Sequence, residues 1–200
     1  MADPGFIVTE LELSGAKLIE TPYYRDERGY FSVPSNDEAF EQIGIRRKFV
    51  QDNQSLSVSA GTVRGLHYQL PPFAQAKLIR VLSGRILDVV VDARYGSPTY
   101  GRHCAMELSA ENGLQVYAPR GFLHGFMTLV PNTTVFYKVD NTYAPGHDRS
   151  ISWNDPALAI EWPTISTGIT LSEKDRSATR WAEMGTPFEF GQVELDGEAS

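Results

Sequence analysis

The sequence predicts a single β-rich domain, built as a sandwich or a barrel. From about residue 11 to residue 181, short apolar segments alternate with turn residues, without an internal repeat or a low-complexity linker. The 200 residues, 42% hydrophobic and 22% charged, can bury one substantial core, whereas a second full domain would be cramped. We therefore expect one domain over residues 1–181. A loosely held acidic tail should follow over 182–200, which contains no Lys or Arg.

Helix is predicted at only two places. Asn36 can cap a helix over 36–43, with Asp37 and Glu38 in its first turn. Residues 172–181 could form a second helix. Helix is therefore a minor part of the predicted fold.

The strands are short, and turn residues separate them. Segments 77–82 and 85–94 are rich in Ile, Leu and Val, and the two residues between them, Ser83 and Gly84, predict a tight hairpin. Further strands are predicted at 104–108, 114–118, 126–129 and 134–139. The intervening segments 109–113, 119–121 and 130–132 carry the Gly, Pro or Asn that turns require.

Charge and composition exclude several classes of partner. A net charge of −7 and a pI near 5.1 argue against nucleic acid, so an anionic ligand needs a local basic cluster. No apolar run approaches the roughly 20 residues of a membrane-spanning helix. The N-terminus does not resemble a secretory signal. Cys104, the single cysteine, cannot form an intramolecular disulfide. We interpret it as a core thiol in a cytoplasmic protein.

Two of the four histidines stand in segments that contain glycine: His67 in 64–69 (RGLHYQ) and His124 in 119–125 (PRGFLHG). Either could be a structural residue. A second interpretation is a metal site, because metal-binding cupins follow a Pro-x-Gly-x-x-His turn like that of 119–124. Their first motif, however, supplies two closely spaced histidines and a carboxylate, where this chain has only His67 followed by Tyr68 and Gln69. These are too few ligands, and we expect neither a metal nor another cofactor.

A third interpretation is proton abstraction beside a ketone without a metal. His67 can act as the general base, since imidazole is neutral near physiological pH. Lys77 can stabilise the enolate oxygen that forms. Tyr137 can return a proton on the opposite face of that carbon. Alone, Lys77 would be a solvent-facing charge and Tyr137 a sheet aromatic.

An ordered series of short motifs covers roughly residues 25 to 175. The segments are 26–31 (DERGYF), 51–53 (QDN), 64–69 (RGLHYQ), 71–72 (PP), 74–75 (AQ), 77–78 (KL), Gly84, Asp88, 91–92 (VD), 97–99 (SPT), 108–112 (LSAEN), 119–122 (PRGF), 124–126 (HGF), 137–138 (YK), 143–145 (YAP), 153–156 (WNDP), 162–163 (WP) and 171–175 (LSEKD). In order and spacing they resemble the dTDP-4-dehydrorhamnose 3,5-epimerases and their 3-epimerase and 5-epimerase relatives.

This resemblance implies a mainly β, cupin-type jelly-roll barrel with a few short helices. It also implies a homodimer in which an N-terminal strand of each subunit reaches toward its partner's site. His67 resembles the family's catalytic base and Asp175 the carboxylate paired with it, which fixes the imidazole tautomer. Tyr137 resembles the proton donor, and Lys77 the residue beside the ketone oxygen.

The resemblance also implies substrate-binding roles. Arg28 and Arg64 match positions that contact the nucleotide pyrophosphate, where each guanidinium group can bind two phosphate oxygens at once. Tyr143 matches the aromatic ring that stacks on thymine. Further positions that match substrate contacts are Gln51, Asn53, His124 and Lys174; His124 could instead only stabilise its turn. Many family members carry a glutamate where this chain has Val33, which could shift substrate specificity.

The sequence thus predicts an isomerase that epimerises C3, C5 or both of a dTDP-4-keto-6-deoxyhexose, in the setting of rhamnose-precursor synthesis. A monoepimerase acting on another keto-sugar nucleotide is the close alternative. A non-catalytic cupin that binds sugar nucleotides is the alternative from another class. A metal-dependent dioxygenase of the cupin type is a weaker one.

Overall fold

Two antiparallel sheets face each other in the computed structural model, which describes residues 5–192. The described residues form fifteen strands: β1 (Ile7–Glu10), β2 (Lys17–Glu20), β3 (Tyr24–Asp26), β4 (Gly29–Phe31), β5 (Gln51–Ser57), β6 (Val63–Gln69), β7 (Lys77–Ser83), β8 (Arg85–Asp92), β9 (Arg94–Tyr95), β10 (His103–Ser109), β11 (Leu114–Ala118), β12 (Phe122–Thr128), β13 (Thr133–Val139), β14 (Asp148–Ser150) and β15 (Phe188–Glu189). Two short α-helices accompany them, α1 (Asp37–Gln42) and α2 (Glu173–Arg176).

The six-stranded sheet has the order β1-β2-β11-β7-β13-β5, and the five-stranded sheet the order β10-β8-β12-β6-β14. Two small pairs stand apart from them. β3 and β4 form an antiparallel hairpin, and β15 lies parallel to β9. The sandwich predicted from the sequence is confirmed.

Apolar side chains from both sheets fill one part of the space between them. The six-stranded sheet contributes Ile79, Val81 and Val135, and the five-stranded sheet contributes Val90 and Phe122. These side chains are almost completely buried. Since successive residues of a strand point to opposite faces, the positions two residues away along the same strands also face inward. This periodicity positions the polar site described below.

The outer faces of both sheets are covered by the rest of the chain. Leu78 and Tyr117 of the six-stranded sheet pack against Phe40 of α1. On the five-stranded sheet, Leu66 packs in a cluster that includes Phe188. Alternate residues of the central strands are thus buried on both faces, as their nearly continuous apolar sequences require.

The hairpin predicted at Ser83 and Gly84 is wrong. β7 pairs with β11 and β13, whereas β8 pairs with β10 and β12, so the chain passes from one sheet to the other at Gly84. A Cβ on Gly84 would lie 2.3 Å from Oγ1 of Thr133, which leaves no room for a side chain. A glycine between two apolar runs fits a corner between sheets as well as a hairpin.

The first predicted helix is confirmed, and the second is present only in part. Asn36 caps α1 as expected, accepting a hydrogen bond from the backbone N–H of Ala39 at 3.0 Å. The second helix is much shorter than predicted, since α2 ends at Arg176 and Trp181 begins a 3-10 turn. Strand β12 begins four residues before the predicted 126–129 strand.

Three other sequence expectations concern the periphery. Cys104 is half-buried against the core between the sheets rather than fully enclosed. The predicted tail lies outside the described residues from 193 onward, and within its described part Phe188 is buried. The division into a domain and a tail stays a prediction. In residues 5–192, no helix has the length and apolar character needed to span a membrane.

Candidate active site

A polar cavity of about 250 Å³ opens between the two sheets, beside the apolar core. Both sheets and the chain near α2 line it. The lining residues are Gln51, Asn53, Ser55, Arg64, His67, Tyr68, Gln69, Gln75, Lys77, His124, Phe126, Tyr137, Tyr143, Asp148 and Lys174. Nine of the eleven residues predicted for the site are among them.

Asp175 approaches the cavity from behind His67. Its Oδ1 lies 2.5 Å from Nε2 of His67 and accepts the backbone N–H of Gly65 at 3.3 Å. Its Oδ2 accepts the hydroxyl of Ser172 at 2.7 Å. Asp175 is 4% exposed, so it is not the solvated helix-end residue that its position in the sequence would indicate.

The electrostatics of this pair favour a neutral imidazole beside a charged carboxylate. Burial lowers the pKa of His67, although the hydrogen bond and charge of Asp175 act in the opposite direction. Burial also raises the pKa of Asp175, but hydrogen bonds from His67, Ser172 and Gly65 outweigh it and hold that pKa below its ordinary value. An ionised carboxylate can only accept, so Nε2 carries the imidazole proton and Nδ1 keeps its lone pair.

A bulge in β6 brings Arg64 and His67 to the same side of the sheet. His124 of β12 lies opposite His67 and Phe126 opposite Arg64, so β6 has one extra residue between these two pairs. A Cβ on Gly65 would lie 2.6 Å from Cα of Gly125. Only glycine allows the two strands to approach this closely.

Lys77 faces the cavity from the six-stranded sheet, two residues before the inward-facing Ile79. It is 7% exposed, and its Nζ donates to the backbone carbonyl of His67 at 3.2 Å. Burial lowers the pKa of Lys77 to about 8. The solvent-facing alternative for this lysine is therefore wrong.

Tyr137 lies on β13, two residues beyond the inward-facing Val135, and packs against the core at the edge of the cavity. Burial raises the pKa of Tyr137, which keeps its phenol protonated at neutral pH. Tyr137 and Lys77 belong to one wall of the cavity and His67 to the other.

A second histidine–carboxylate pair lies beside the first. Nε2 of His124 lies 2.7 Å from Oδ1 of Asp88, which is completely buried. Asp88 was not among the predicted site residues. A carboxylate within the apolar run of β8 was the available signal, since such a residue is rarely buried without a partner.

Tyr143 and Lys174 lie at the more exposed end of the cavity, where Gln51 and Asn53 are partly buried. Nε2 of Gln51 donates to Oδ1 of Asn53 at 2.7 Å, and the backbone N–H of Tyr143 donates to Oε1 of Gln51 at 3.0 Å. Tyr143 is 55% exposed. Its phenol and Nζ of Lys174 both contact Asp148. Sequence reasoning missed Asp148, because it stands in a short polar segment without a distinguishing pattern.

Besides Asp175, Arg28 is the other predicted site residue that does not line this cavity. It lies in the two-residue turn of the β3–β4 hairpin, where its side chain is 84% exposed and pairs with Asp26 at 2.5 Å. Val33, just beyond the same hairpin, is also absent from the cavity lining. Among the described side chains, the His, Cys, Asp and Glu residues form no group of three suited to hold a metal ion.

Comparison with known proteins agrees with the geometry. The family model described as dTDP-4-dehydrorhamnose 3,5-epimerase matches residues 10–183. The dTDP-4-dehydrorhamnose 3,5-epimerase of Sinorhizobium fredii is 48% identical over 183 residues, which cover 92% of this chain and 93% of that protein.

Solved structures extend the similarity to the fold. The dTDP-6-deoxy-D-glucose-3,5-epimerase of Legionella pneumophila, in complex with dTDP-4-keto-L-rhamnose, has a TM-score of 0.86 and 40% identity, covering 90% of this chain and 94% of that one. A 3'-monoepimerase of Streptomyces bikiniensis in complex with dTDP-quinovose has a TM-score of 0.84 and 33% identity, covering 93% and 94%. The expected mainly β, cupin-type jelly roll is confirmed.

Proposed function

The chain belongs to the dTDP-4-dehydrorhamnose 3,5-epimerase family, and on that premise we propose that it is an isomerase that inverts C3, C5 or both carbons of a dTDP-4-keto-6-deoxyhexose. The observation that carries the proposal is the pair of His67 and Asp175, which faces Lys77 and Tyr137 across one cavity. The ligands named for the related structures, dTDP-4-keto-L-rhamnose and dTDP-quinovose, support this substrate class.

The first step is removal of a proton from a carbon beside the C4 ketone. Nδ1 of His67 takes the proton, and the C–H electron pair forms a double bond between that carbon and C4. The π electrons of the C4 carbonyl move to its oxygen, which becomes an enolate oxygen. Asp175 accepts the hydrogen bond from Nε2 and stabilises the imidazolium that forms. The lowered pKa of His67 supports this role, because it keeps the base neutral at physiological pH.

Lys77 then stabilises the enolate oxygen. Its ammonium is held in place by the carbonyl of His67 before the substrate arrives, so little reorganisation is needed. With a pKa of about 8, most of the Lys77 population is still charged at neutral pH. A buried cation stabilises a developing negative charge more strongly than one in water.

Tyr137 returns a proton to the opposite face of the sugar. It comes from the wall of the cavity opposite His67, and its phenol is protonated at neutral pH. The new C–H bond forms as the electron pair of the enolate returns. Solvent afterwards reprotonates the tyrosinate and takes the proton from the His67 imidazolium. Removal from one face and return on the other inverts the carbon.

Binding of the nucleotide falls to the more exposed side of the cavity. Arg64 and Lys174 supply positive charge for the diphosphate there. The exposed ring of Tyr143 is available to stack on the base. Gln51, Asn53 and His124 add hydrogen-bonding groups for the sugar and nucleotide.

Arg28 requires a second subunit for its proposed role. The β3–β4 hairpin that carries it is exposed, with Tyr24, Tyr30 and Phe31 all more than half accessible. We infer a homodimer in which this hairpin reaches the partner's cavity and brings Arg28 to the diphosphate. Exposed aromatic residues favour such a contact. The single cysteine supports a cytoplasmic location.

The alternatives differ in which carbon exchanges its proton with solvent. We propose incubating the purified protein with dTDP-4-keto-6-deoxyglucose in deuterated water and following the C3 and C5 proton signals. Exchange at both carbons is expected for a double epimerase and exchange at one for a monoepimerase, the activity named for the Streptomyces bikiniensis relative. The His67→Asn variant serves as the inactive control. Absence of exchange with every keto-sugar nucleotide tested would instead identify a binding protein.

A further inference from the structure

Asp148 stands among cations in a cavity that is proposed to bind an anion. Among the described residues lining this cavity it is the only carboxylate, while Arg64, Lys77 and Lys174 are all cationic. A negative charge here opposes binding of a diphosphate. We propose that Asp148 is a positioning residue, which holds Tyr143 and Lys174 and provides the negative charge opposite Lys77. This inference rests on the proposed epimerase function.

The contacts of Asp148 carry the first part of the proposal. Its Oδ2 accepts the phenol of Tyr143 at 3.1 Å and an N–H of the Lys174 ammonium at 2.5 Å. The Asp148 side chain is 17% exposed, so solvent competes only weakly for these hydrogen bonds. One carboxylate oxygen therefore holds two flexible side chains, Tyr143 and Lys174, which are proposed to bind the nucleotide of the substrate.

The backbone of Asp148 connects these contacts to the catalytic base. Asp148 begins β14, where it lies opposite Gln69 of β6, and two residues later Ser150 lies opposite His67. Lys174 directly precedes Asp175 in α2. The Asp148–Lys174 ion pair thus joins the strand beside His67 to the helix that carries its partner.

α2 needs such an external contact because it is only four residues long. One helical turn has little stability of its own in water. Its N-terminus is capped by Ser172, whose hydroxyl accepts the backbone N–H of Asp175 at 3.1 Å. Lys174 adds a tertiary contact on the cavity side. Loss of the Asp148 carboxylate should therefore let Asp175 move relative to His67.

The charge of Asp148 also acts on Lys77. Burial is the largest influence on the pKa of Lys77 and lowers it, while Asp148 of β14 raises it, Lys174 of α2 lowers it and Asp88 of β8 raises it. The other titratable groups that line the cavity with Lys77 are Arg64, His67 and Tyr68 of β6, His124 of β12, Tyr137 of β13 and Tyr143. Asp148 and Lys174 therefore change the protonation of Lys77 in opposite directions.

This opposition provides the test. The pH profile of kcat/KM for deuterium incorporation, which reports the pKa values of the free enzyme, is measured for wild type, Asp148→Asn and Lys174→Gln. We expect the alkaline limb to shift to lower pH, by about half a unit or more, in Asp148→Asn, and to higher pH in Lys174→Gln. In Asp148→Asn, kcat at the optimum should fall about tenfold, because Asp175 is then free to move relative to His67.

Asp52→Asn is the matched control, since Asp52 also pairs with a lysine, Lys138, but does not line the cavity. Its profile should match wild type. The conservative Asp148→Glu variant should keep the wild-type position of the alkaline limb. Lys174 is 42% exposed in its side chain, so Lys174→Gln supplies a readout even if Asp148→Asn does not fold.

Two results would overturn the role of Asp148. One is an alkaline limb that coincides with wild type in both folded variants. The other is a rise in KM with unchanged kcat in Asp148→Asn, which would make Asp148 a substrate-binding residue only. Failure of the wild-type protein to exchange any substrate proton would instead contradict the proposed epimerase function.

Discussion

Nε2 of His67 lies 2.5 Å from Oδ1 of Asp175, although 108 positions separate the two residues in the chain. The contact joins a central strand of the five-stranded sheet to a single helical turn near the end of the domain. It determines which imidazole nitrogen faces the cavity. In the proposed mechanism, we therefore expect catalysis to depend on how well the C-terminal segment packs on the sheet.

Replacing Asp175 by Asn should lower kcat by about 10³-fold with little change in KM. An amide can donate to Nε2, which favours the tautomer whose Nδ1 is protonated and cannot accept a proton. Glu173→Gln is the matched control on the same helix, because its side chain is 90% exposed. Equal losses in both variants would show that the helix, rather than the carboxylate of Asp175, is what matters.

Tyr137→Phe should separate proton exchange from inversion. His67 can still remove a proton and return a deuteron to the same face, so exchange continues while the inverted product is lost for at least one carbon. Nuclear magnetic resonance spectra of the sugar ring report both processes in one sample. Tyr95→Phe, at a residue that is 58% exposed and outside the cavity, should behave like wild type. Normal inversion in Tyr137→Phe would require another proton donor.

The pH profile of kcat/KM should be bell-shaped. Catalysis needs a neutral His67, whose pKa is lowered by burial, so the acid limb should lie below the ordinary histidine value of about 6.5. It also needs a charged Lys77, so the alkaline limb should lie near pH 8. Activity should thus fall as pH drops through the first value and as it rises through the second. An acid limb above pH 7 would contradict a buried neutral base.

Mixing two inactive variants tests whether Arg28 acts across a dimer. In a heterodimer of Arg28→Ala and His67→Asn, one cavity receives an intact His67 from one chain and an intact Arg28 from the other. Random exchange of subunits should restore about a quarter of the wild-type sites. The activity of the mixture is measured after the subunits have been allowed to exchange.

The controls for this experiment are each variant alone and a mixture of His67→Asn with Lys77→Met. His67 and Lys77 line the same cavity of one chain, so mixing these two variants cannot rebuild a complete site. No recovery in the Arg28 mixture, despite demonstrated subunit exchange, would argue that Arg28 does not serve the partner's cavity.

Sequence reasoning predicted the residue types of this site better than their arrangement. His67, Lys77 and Tyr137 were found through motifs, and a period of two along β7 and β13 then explains why the latter two point inward. The change of sheet at Gly84 could not be foreseen, because a hairpin and a corner use the same residues. Asp148 was missed because its contacts to Tyr143 and Lys174 form only in three dimensions.

The close approach of β6 and β12 should make Gly65 indispensable. A Cβ there would lie 2.6 Å from Cα of Gly125 and 2.7 Å from the carbonyl oxygen of His124, both of them backbone atoms that cannot rotate away. We expect Gly65→Ala to lower the free energy of unfolding by about 3 kcal/mol or more. It should also lower kcat, because β6 can relieve the clash only by moving His67.

Gly96→Ala separates this clash from backbone strain alone. Gly96 also has a positive φ, of 83°, but a Cβ there would meet nothing within 4 Å. Its replacement should lower the free energy of unfolding by only about 1–2 kcal/mol and leave kcat unchanged. Denaturant unfolding and kcat are measured on both variants. If they lose equal stability and both keep full activity, the spacing of β6 and β12 does not position the base.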